Sequence, residues 1–341
     1  MTAESTLPRH SPATVPRVSV VIPTYRRPEL LSRCLAAVFA QRLGPADFEV
    51  TVVDDGHDDA TRQAVDRMRA AAPPGAILVY LRPAQGRGPA VARNWGWRAS
   101  RAPLIAFTDD DTIPDPDWLL QGARSMAMRP EWAACCGQVV VPLDRPGPPT
   151  DHERMTQGLE SAEFVTANAF VRREALERVG GFDERFTRAW REDSDLQFRL
   201  MQEAGEVGRS PLAIVQHPVR PERWGVCLRQ QHNTFFDALL YKKHPRLYRE
   251  RIRPVPPWDY YAIVAFTVAA ALLGFLGAAG AAGACAALAV LLVLRLAWRR
   301  LRPTRRTVSH ACEMLATSVL IPYLSVYWRL RGAIRFKVLF L

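Results

Sequence analysis

Three consecutive aspartates, Asp109, Asp110 and Asp111, follow the apolar run Leu104–Phe107. A short apolar run of this kind predicts a buried strand, and ligands of open α/β sheets bind at the carboxyl ends of the strands. Three adjacent carboxylates repel one another unless a cation lies between them. Mg²⁺ and Mn²⁺ prefer oxygen ligands, often carboxylates together with substrate phosphates. The triplet therefore favours a metal–diphosphate site, and a solvated turn is the alternative.

Three further polar segments are candidates to meet the triplet at one edge of the sheet. They are Pro23, Thr24, Tyr25 and Arg26 after a first strand, Asp54 and Asp55 after a second strand, and Arg93 and Asn94 in a helix. The aspartates can accept hydrogen bonds from a base and from ribose hydroxyls, although Asp-Asp-Gly is also an ordinary turn. The arginine can neutralise diphosphate charge, although an exposed helical arginine is usually only solvated.

These segments must be positioned by an alternation of short strands and helices. Strands are predicted at residues 18–22, 48–53, 77–81 and 104–107, with helices from residue 28, near 59–71 and over 88–100. Such βαβα alternation indicates an α/β fold with a mainly parallel sheet covered by helices on both faces. Further along, strands are predicted at 139–141, 164–171 and 213–216, and a helix at 192–203.

The composition narrows the class of protein. The 341 residues carry a net charge of +11, which suits nucleic acid, a membrane surface or a phosphate-rich ligand. Nine Lys/Arg and three acids fall in residues 218–257, and six Arg without an acid in residues 295–306. Both basic segments flank a long apolar stretch, so we expect membrane lipids as a partner and no nucleic acid.

The cysteines and the N-terminus bear on the compartment. The six cysteines form no CxxC pair, so a disulfide framework or a zinc site is not expected, and reduced thiols in the cytosol are the simplest account. Residues 1–16 have no apolar signal-peptide core and are predicted to be disordered.

Residues 260–294 are apolar and uncharged. One membrane crossing takes roughly 20 residues, so this stretch is long for one helix and tight for two. Gly277, Gly280 and Gly283 lie at its centre, where a turn can form. Because both flanks are basic, as cytosolic flanks are, we favour a helical hairpin over a single long tilted helix.

The tail that follows mixes apolar and polar residues. It predicts an interfacial amphipathic element, with Arg331, Arg335 and Lys337 facing lipid phosphates. A third crossing is the alternative.

Taken together, the motifs resemble those of the family 2 glycosyltransferases, whose fold is the GT-A nucleotide-sugar-binding fold. The resemblance covers about residues 17–217 and includes the order and spacing of the motifs. It continues downstream in Gly180-Gly181-Phe182-Asp183-Glu184 and Glu192-Asp193-Ser194-Asp195-Leu196, which look like the family's GGFDE and EDxDL segments.

The resemblance implies roles for particular residues. The polar segments at residues 23–26, 54–55 and 93–94 would bind the donor. Asp109 and Asp111 would form the DXD motif: Asp111 would bind Mg²⁺ or Mn²⁺ most directly, and Asp109 would contact the ribose or a metal-bound water. Asp110 would lie beside them against the donor. His217 would complete the metal site, although a packed histidine is the alternative. The metal would bridge the diphosphate of a nucleotide-diphosphate sugar and stabilise charge on the leaving nucleotide.

The resemblance also implies a base for the acceptor. Asp193 matches the family's catalytic aspartate, with Glu192 as its neighbour or a second acceptor-site carboxylate; acids in a first helical turn can also simply compensate the helix dipole. One base and direct attack imply a single displacement with inversion. Trp190 can stack on a sugar, although aromatic residues are also ordinary core residues.

Two positions depart from the family pattern. His57 stands where Ser or Thr often follows the Asp-Asp-Gly turn, which leaves base recognition open. The pair Arg223-Trp224 is similar to the end of the QxxRW motif of processive synthases, but Arg220 replaces the Gln. We therefore expect a nonprocessive enzyme.

The sequence thus predicts an inverting, metal-dependent glycosyltransferase at the inner membrane, with its catalytic domain facing the cytoplasm. Its acceptor would be a hydroxyl or phosphate, plausibly on a lipid-linked glycan. The expected organisation is a disordered N-terminus (1–16), a GT-A catalytic domain (17–217), a basic juxtamembrane helical segment (218–257), a membrane hairpin (258–298), and a basic loop with an amphipathic tail (299–341). A nucleotidyltransferase of the same fold and a non-catalytic membrane-bound scaffold are the alternatives.

Overall fold

The computed structural model describes residues 15–340. Most of the segment that was predicted to be disordered, residues 1–14, lies outside this range. Within the described residues, eight strands form one sheet in the order β3-β2-β1-β4-β7-β6-β8-β5. The strands are β1 Val18–Thr24, β2 Phe48–Asp54, β3 Ile77–Leu81, β4 Leu104–Phe107, β5 Ile113–Pro114, β6 Trp132–Val140, β7 Ala169–Arg172 and β8 Glu206–Gln216.

Helices connect the strands and continue beyond the sheet. Those of the sheet region are α1 Pro28–Phe39, α2 Asp59–Ala70, α3 Pro89–Ala99, α4 Trp118–Met128, α5 Asp151–Ser161, α6 Arg173–Val179 and α7 Glu192–Glu203. Those that follow are α8 Val226–Gln230, α9 Thr234–Lys243, α10 Pro245–Leu247, α11 Trp258–Phe275, α12 Ala279–Leu301 and α13 Val308–Phe336.

The first half of the sheet follows the predicted alternation. Strands β1, β2, β3 and β4 pair in parallel, and each begins within a residue of its predicted position. Their side chains alternate between two hydrophobic layers, because successive residues of a strand point to opposite faces. Val20 and Ile22 pack in the layer with Leu31 and Trp118, whereas Val21 packs in the layer with Trp97.

The second half of the sheet is mixed. Strand β7 runs antiparallel to β4 and β6, β5 runs antiparallel to β8, and β6 and β8 are parallel. The strand predicted over 164–171 is wrong in its first part: a 3₁₀ turn at Thr166–Asn168 precedes β7. The buried amide of Asn168 explains the interruption, because it donates to the carbonyls of Gln138 and Ala213 and bridges strands β6 and β8.

The basic segment 218–257 packs onto the sheet region of the chain. Phe236, Leu239 and Tyr248 are buried in one apolar cluster with Phe186 and Phe198. The segment is therefore part of a third hydrophobic core, contributed jointly by α7 and α9.

The apolar stretch forms two helices, α11 and α12, joined through residues 276–278. Both are long and apolar enough to cross a membrane, and only 6% and 11% of their most apolar stretches is buried within the protein. Gly277 adopts a positive φ of 78° in the connection, a conformation that glycine adopts without strain. Crossing of a membrane stays a prediction.

The tail is a single helix, α13, of 29 residues with Pro322 inside it. It contacts α9, α11 and α12, and it buries polar side chains such as Ser318, Ser325 and Arg329. One face of this helix is therefore already occupied by the rest of the protein.

Candidate active site

A cleft of about 980 Å³ opens at the carboxyl ends of β1 and β4. Its walls come from the acidic triplet, the first turn of α7, helix α5 and the segment after β8. Predicted site residues that line it are Pro23, Thr24, Tyr25, Asp55, Arg93, Asp109, Asp110, Asp111, Trp190, Glu192, Asp193 and His217. The structure thus brings most of the predicted set together, from positions spread over 195 residues of sequence.

Each aspartate of the triplet has a different environment. Asp109 is the most exposed and binds Arg93 at 2.7 Å. Asp110 accepts hydrogen bonds from Thr24 at 2.7 Å and Arg27 at 3.2 Å, and burial, with help from the charge of Asp111, raises the pKa of Asp110 to about 6. Asp110 therefore anchors the loop to β1 and leaves its two neighbours to face the cleft.

Asp109, Asp111 and His217 each offer a ligand atom, and these atoms lie within 4.8 Å of one another. Two carboxylates and an imidazole form a donor set that suits Mn²⁺ or Mg²⁺. One oxygen of Asp111 lies 3.6 Å from His217 Nε2, and the other lies 3.0 Å from Arg220 Nε. The residues present therefore fit a divalent cation.

Arg93 bridges the two halves of the site. One terminal nitrogen of its guanidinium donates to Asp109, and the other donates to Glu192 at 3.1 Å. Its side chain is 3% exposed, so this helical arginine is buried and ion-paired and is not simply solvated. Arg93 links the aspartate loop after β4 to the first turn of α7.

Glu192 and Asp193 begin α7 and face the same cleft. Burial, reinforced by the charge of Asp193, raises the pKa of Glu192 to about 8. Burial also raises the pKa of Asp193, while a hydrogen bond from the Ser194 backbone N–H and the positive charge of Arg93 oppose that rise. One oxygen of Glu192 is buried without a hydrogen-bond partner among the described residues, so this carboxyl group has an oxygen that the fold itself does not use.

Tyr25 and Asp55 also border a second, smaller cavity of about 410 Å³. It is lined by Arg26, by His57 and by the loop of residues 83–87. Asp55 accepts a hydrogen bond from the Gly88 backbone N–H at 2.9 Å. Because Tyr25 and Asp55 border both cavities, this pocket adjoins the main cleft.

Asp54 departs from its predicted donor-binding role. The side chain is fully buried, and its oxygens accept hydrogen bonds from Tyr80 Oη at 2.7 Å and from the backbone N–H groups of Gly56 and Asp58. Asp54 is the last residue of β2 and points into the fold, whereas Asp55, in the turn that follows, lines the cleft. Asp54 shapes the turn that carries Asp55.

Asn94 departs from its prediction for a similar reason. Its amide bonds both the N–H and the carbonyl of Phe182 and accepts from Trp97 Nε1. A Cβ on Gly181 would lie 2.5 Å from the Asn94 oxygen, which explains the second glycine of the Gly-Gly-Phe segment. Asn94 therefore fixes the loop before α7 and does not line the cleft.

Two arginines of the site had no predicted role. Arg27 lies within 3.2 Å of Asp110 and 3.8 Å of Asp111, and Arg220 contacts Asp111. Their only sequence signals were the basic end of the Thr-Tyr-Arg-Arg segment and the replaced Gln three residues before Arg223. Both place positive charge where a diphosphate would need it.

Comparison with family models gives two overlapping matches. The model described as Glycosyl transferase family 2 matches residues 19–180. The model described as Glycosyl transferase family group 2 matches residues 104–330, more than half of the chain.

Among characterised proteins, this chain is 33% identical over 224 residues to a validoxylamine A glucosyltransferase of Streptomyces hygroscopicus subsp. limoneus, covering 54% of this chain and 48% of the relative. It is 29% identical over 177 residues to the glycosyltransferase AglE of Haloferax volcanii, covering 50% and 57%. It is 28% identical over 224 residues to a pre-mycofactocin glycosyltransferase of Mycobacterium tuberculosis, covering 60% and 43%. The chain spans about half the length of the curated relatives it matches.

Among solved structures, the mannosyltransferase PcManGT of Pyrobaculum calidifontis, in complex with GDP-Man and Mn²⁺, superimposes with a TM-score of 0.59. The match covers 90% of this chain and 87% of that protein at 23% sequence identity. At this identity the likeness establishes the GT-A fold.

Proposed function

This chain belongs to glycosyl transferase family 2, and from that membership we propose that it transfers a sugar from a nucleotide-diphosphate donor to an acceptor with inversion at the anomeric carbon. The observation that carries the proposal is the shared cleft: the candidate metal ligands Asp109, Asp111 and His217 face the same space as Asp193. A donor held by its diphosphate at the first group would present its sugar towards the second.

The donor would be held by charge. Asp109, Asp111 and His217 would hold the divalent cation, which supplies Lewis-acid stabilisation of the leaving diphosphate. Arg27 and Arg220 add positive charge on the same side. The GDP-mannose and Mn²⁺ of the Pyrobaculum structure support a nucleotide sugar and a divalent cation as ligands, because the two proteins share their fold.

Asp193 would act as the general base. It takes the proton of the acceptor hydroxyl as the oxygen forms its bond to the anomeric carbon, and the nucleoside diphosphate leaves with the electron pair of the broken bond. Because the pKa of Glu192 is raised to about 8, Glu192 keeps its proton at pH 7 and adds no second negative charge beside Asp193. A single displacement inverts the anomeric centre.

The acceptor would meet the site at a membrane face. Helices α11 and α12 expose apolar side chains over most of their length, and basic residues flank them on both sides. Cytosolic flanks of membrane segments carry such an excess of Lys and Arg. We infer that the catalytic domain faces the cytoplasm, that the acceptor is lipid-linked, and that one sugar is added at each encounter in cell-envelope glycan synthesis.

The test starts from a thermal-shift screen of nucleotide sugars against the whole 341-residue chain in detergent, with and without Mn²⁺. A ligand of the folded form raises the apparent stability by mass action. With the donor that binds, Asp193→Asn is expected to lose turnover by at least about 10²-fold and to retain donor affinity. Asp111→Asn is expected to lose Mn²⁺-dependent donor binding. The control is Asp66→Asn, an exposed carboxylate on α2, which leaves both unchanged.

Three results would count against the proposal. They are donor binding that ignores divalent ions, full turnover by the Asp193→Asn protein, and a product whose anomeric configuration, read by NMR, is the same as that of the donor. Recovery of the protein in a carbonate wash of membranes, without detergent, would separately contradict the membrane anchor.

A further inference from the structure

The structure contains a buried carboxylate that touches the residues just before the proposed base. Asp237 lies in the first turn of α9 and is 3% exposed. It accepts a hydrogen bond from Arg191 Nε at 2.8 Å and from Trp190 Nε1 at 3.1 Å. One side chain thus holds two consecutive residues that lead directly into Glu192 and Asp193.

The backbone at Arg191 needs such a support. Arg191 caps the N-terminus of α7 with φ 74°, in the left-handed region that is unfavourable for a residue with a Cβ. Strained conformations of this kind persist only where the surroundings fix them, and they cluster at functional sites. The guanidinium of Arg191 also lies over the Trp190 ring, 4.6 Å from its centroid, so the carboxylate, the guanidinium and the ring form one packed unit.

The same carboxylate is reached from the tail of the chain. Arg329 of α13 is 2% exposed, and its Nη2 lies 3.5 Å from the second oxygen of Asp237. Helix α13 in turn contacts both α11 and α12. A continuous path of contacts therefore runs from the proposed membrane hairpin through Arg329 and Asp237 to the first turn of α7.

We propose that Asp237 is a positioning residue: it fixes the conformation of the first turn of α7 and thereby the position of the Asp193 carboxylate. Through its contact with Arg329, this position depends on the packing of helix α13 against the rest of the protein. The proposal rests on the proposed function, in which Asp193 is the base. Asp237 does not line the cleft, so it acts through Arg191 and Trp190 and touches neither donor nor acceptor.

The test compares Asp237→Asn with a matched buried carboxylate far from the site. The asparagine keeps the shape of the side chain and one acceptor oxygen but removes the charge that pairs with two guanidiniums. Glu49→Gln is the control, because Glu49 is 2% exposed and paired with Arg101, near the amino-terminal end of β2, away from the cleft. It reports the general cost of losing a buried ion pair.

Displacement of a catalytic group by about 1 Å can cost about 10²-fold in rate. We therefore expect Asp237→Asn to lower kcat by about 10- to 100-fold at saturating donor and acceptor, with donor Kd within about twofold of the wild type. Glu49→Gln is expected to lower the thermal midpoint without changing kcat. A kcat within twofold of the wild type for Asp237→Asn, or a donor affinity that falls in step with kcat, overturns the proposal.

A second variant covers the case in which Asp237→Asn fails to fold. Arg191→Gly keeps the left-handed backbone conformation accessible but loses the ion pair between Arg191 and Asp237. It is therefore expected to fold and to show the same type of kcat loss. Arg329→Met is expected to give a smaller loss of the same type, since its contact is longer. Wild-type kcat in the folded Arg191→Gly protein would refute the inference.

Hydrogen–deuterium exchange of the peptide covering residues 190–196 separates this inference from the proposed function. Loss of the contact between Arg191 and Asp237 is expected to speed exchange in this peptide by at least about tenfold, whether or not a substrate has been found. If exchange rises but the wild type transfers no sugar, the proposed function fails and the contact path stands. If exchange is unchanged in Asp237→Asn or Arg191→Gly, the positioning role fails.

Discussion

Replacement of Arg93 by methionine tests the bridge between the aspartate loop and the first turn of α7. Methionine has a similar length and leaves no large cavity, so the change mainly removes the guanidinium. Two charge-assisted hydrogen bonds are lost, one to Asp109 at 2.7 Å and one to Glu192 at 3.1 Å. Removing one partner of a buried ion pair typically costs about 3–5 kcal/mol, because it leaves an uncompensated buried charge.

The exposure of the two partners sets the expected loss within that range. Asp109 is 27% exposed and can be partly solvated once Arg93 is gone, whereas Glu192 is only 4% exposed. Since the pKa of Glu192 is already raised to about 8, Glu192 can keep a proton at pH 7 and avoid a buried charge. We therefore expect a loss of about 3 kcal/mol at pH 7 and a larger loss at pH 9.

Thermal unfolding of the whole 341-residue chain in detergent, without metal and followed by tryptophan fluorescence, measures this loss. About 3 kcal/mol corresponds to a fall in Tm of roughly 6–12 °C for a domain of this size. Arg98→Met is the control, because Arg98 lies on the same helix, is 50% exposed and pairs with Glu184 at only 3.5 Å. It is expected to stay within about 0.5 kcal/mol of the wild type.

A Tm for Arg93→Met within about 2 °C of the wild type at both pH values would refute the reasoning. So would an equal fall in the Arg98→Met protein, since the cost would then not depend on burial or on the bridge.

Two further predictions concern residues beside this bridge. The stability of the Glu192→Gln protein relative to the wild type is expected to rise by about 3 kcal/mol between pH 5 and pH 8. The reason is that the pKa of Glu192 is raised from 4.5 to about 8 in the folded protein. The stabilisation that protonated Glu192 gives the wild type is therefore complete below pH 4.5 and is lost as pH rises through 8. Chemical unfolding at several pH values measures the difference, and parallel curves for the two proteins would contradict it. Asn94→Ala is expected to destabilise the protein by about 3 kcal/mol, because it leaves the Phe182 N–H, the Phe182 carbonyl and Trp97 Nε1 without their partner, while donor affinity changes by less than about threefold. A collapse of donor affinity at unchanged Tm would instead restore Asn94 as a donor-binding residue.

The fold of the first half follows from local sequence pattern. Short apolar runs separated by helical repeats predict β1 to β4 and their parallel direction, because buried parallel strands are continuous apolar segments. The meeting of Asp55, Asp109 and Asp111 at one edge follows as well, since loops at the carboxyl ends of such strands share that edge. The mixed half, where β7 inserts between β4 and β6, depends on pairings between distant segments that no local pattern encodes.

Within the site, the sequence by itself determined which residue types are present and at which strand ends they occur. Only the tertiary structure decided which of two adjacent residues faces the cleft. Asp54 ends a strand and Asp55 begins the turn after it, and Arg93 and Asn94 are neighbours on a helix. In each pair one side chain points into the fold and bonds a loop or turn. The contacts of Arg220, Asp237 and Arg329 were likewise set only by packing, because each joins segments that are far apart in sequence and meet only after the sheet and the C-terminal helices have come together.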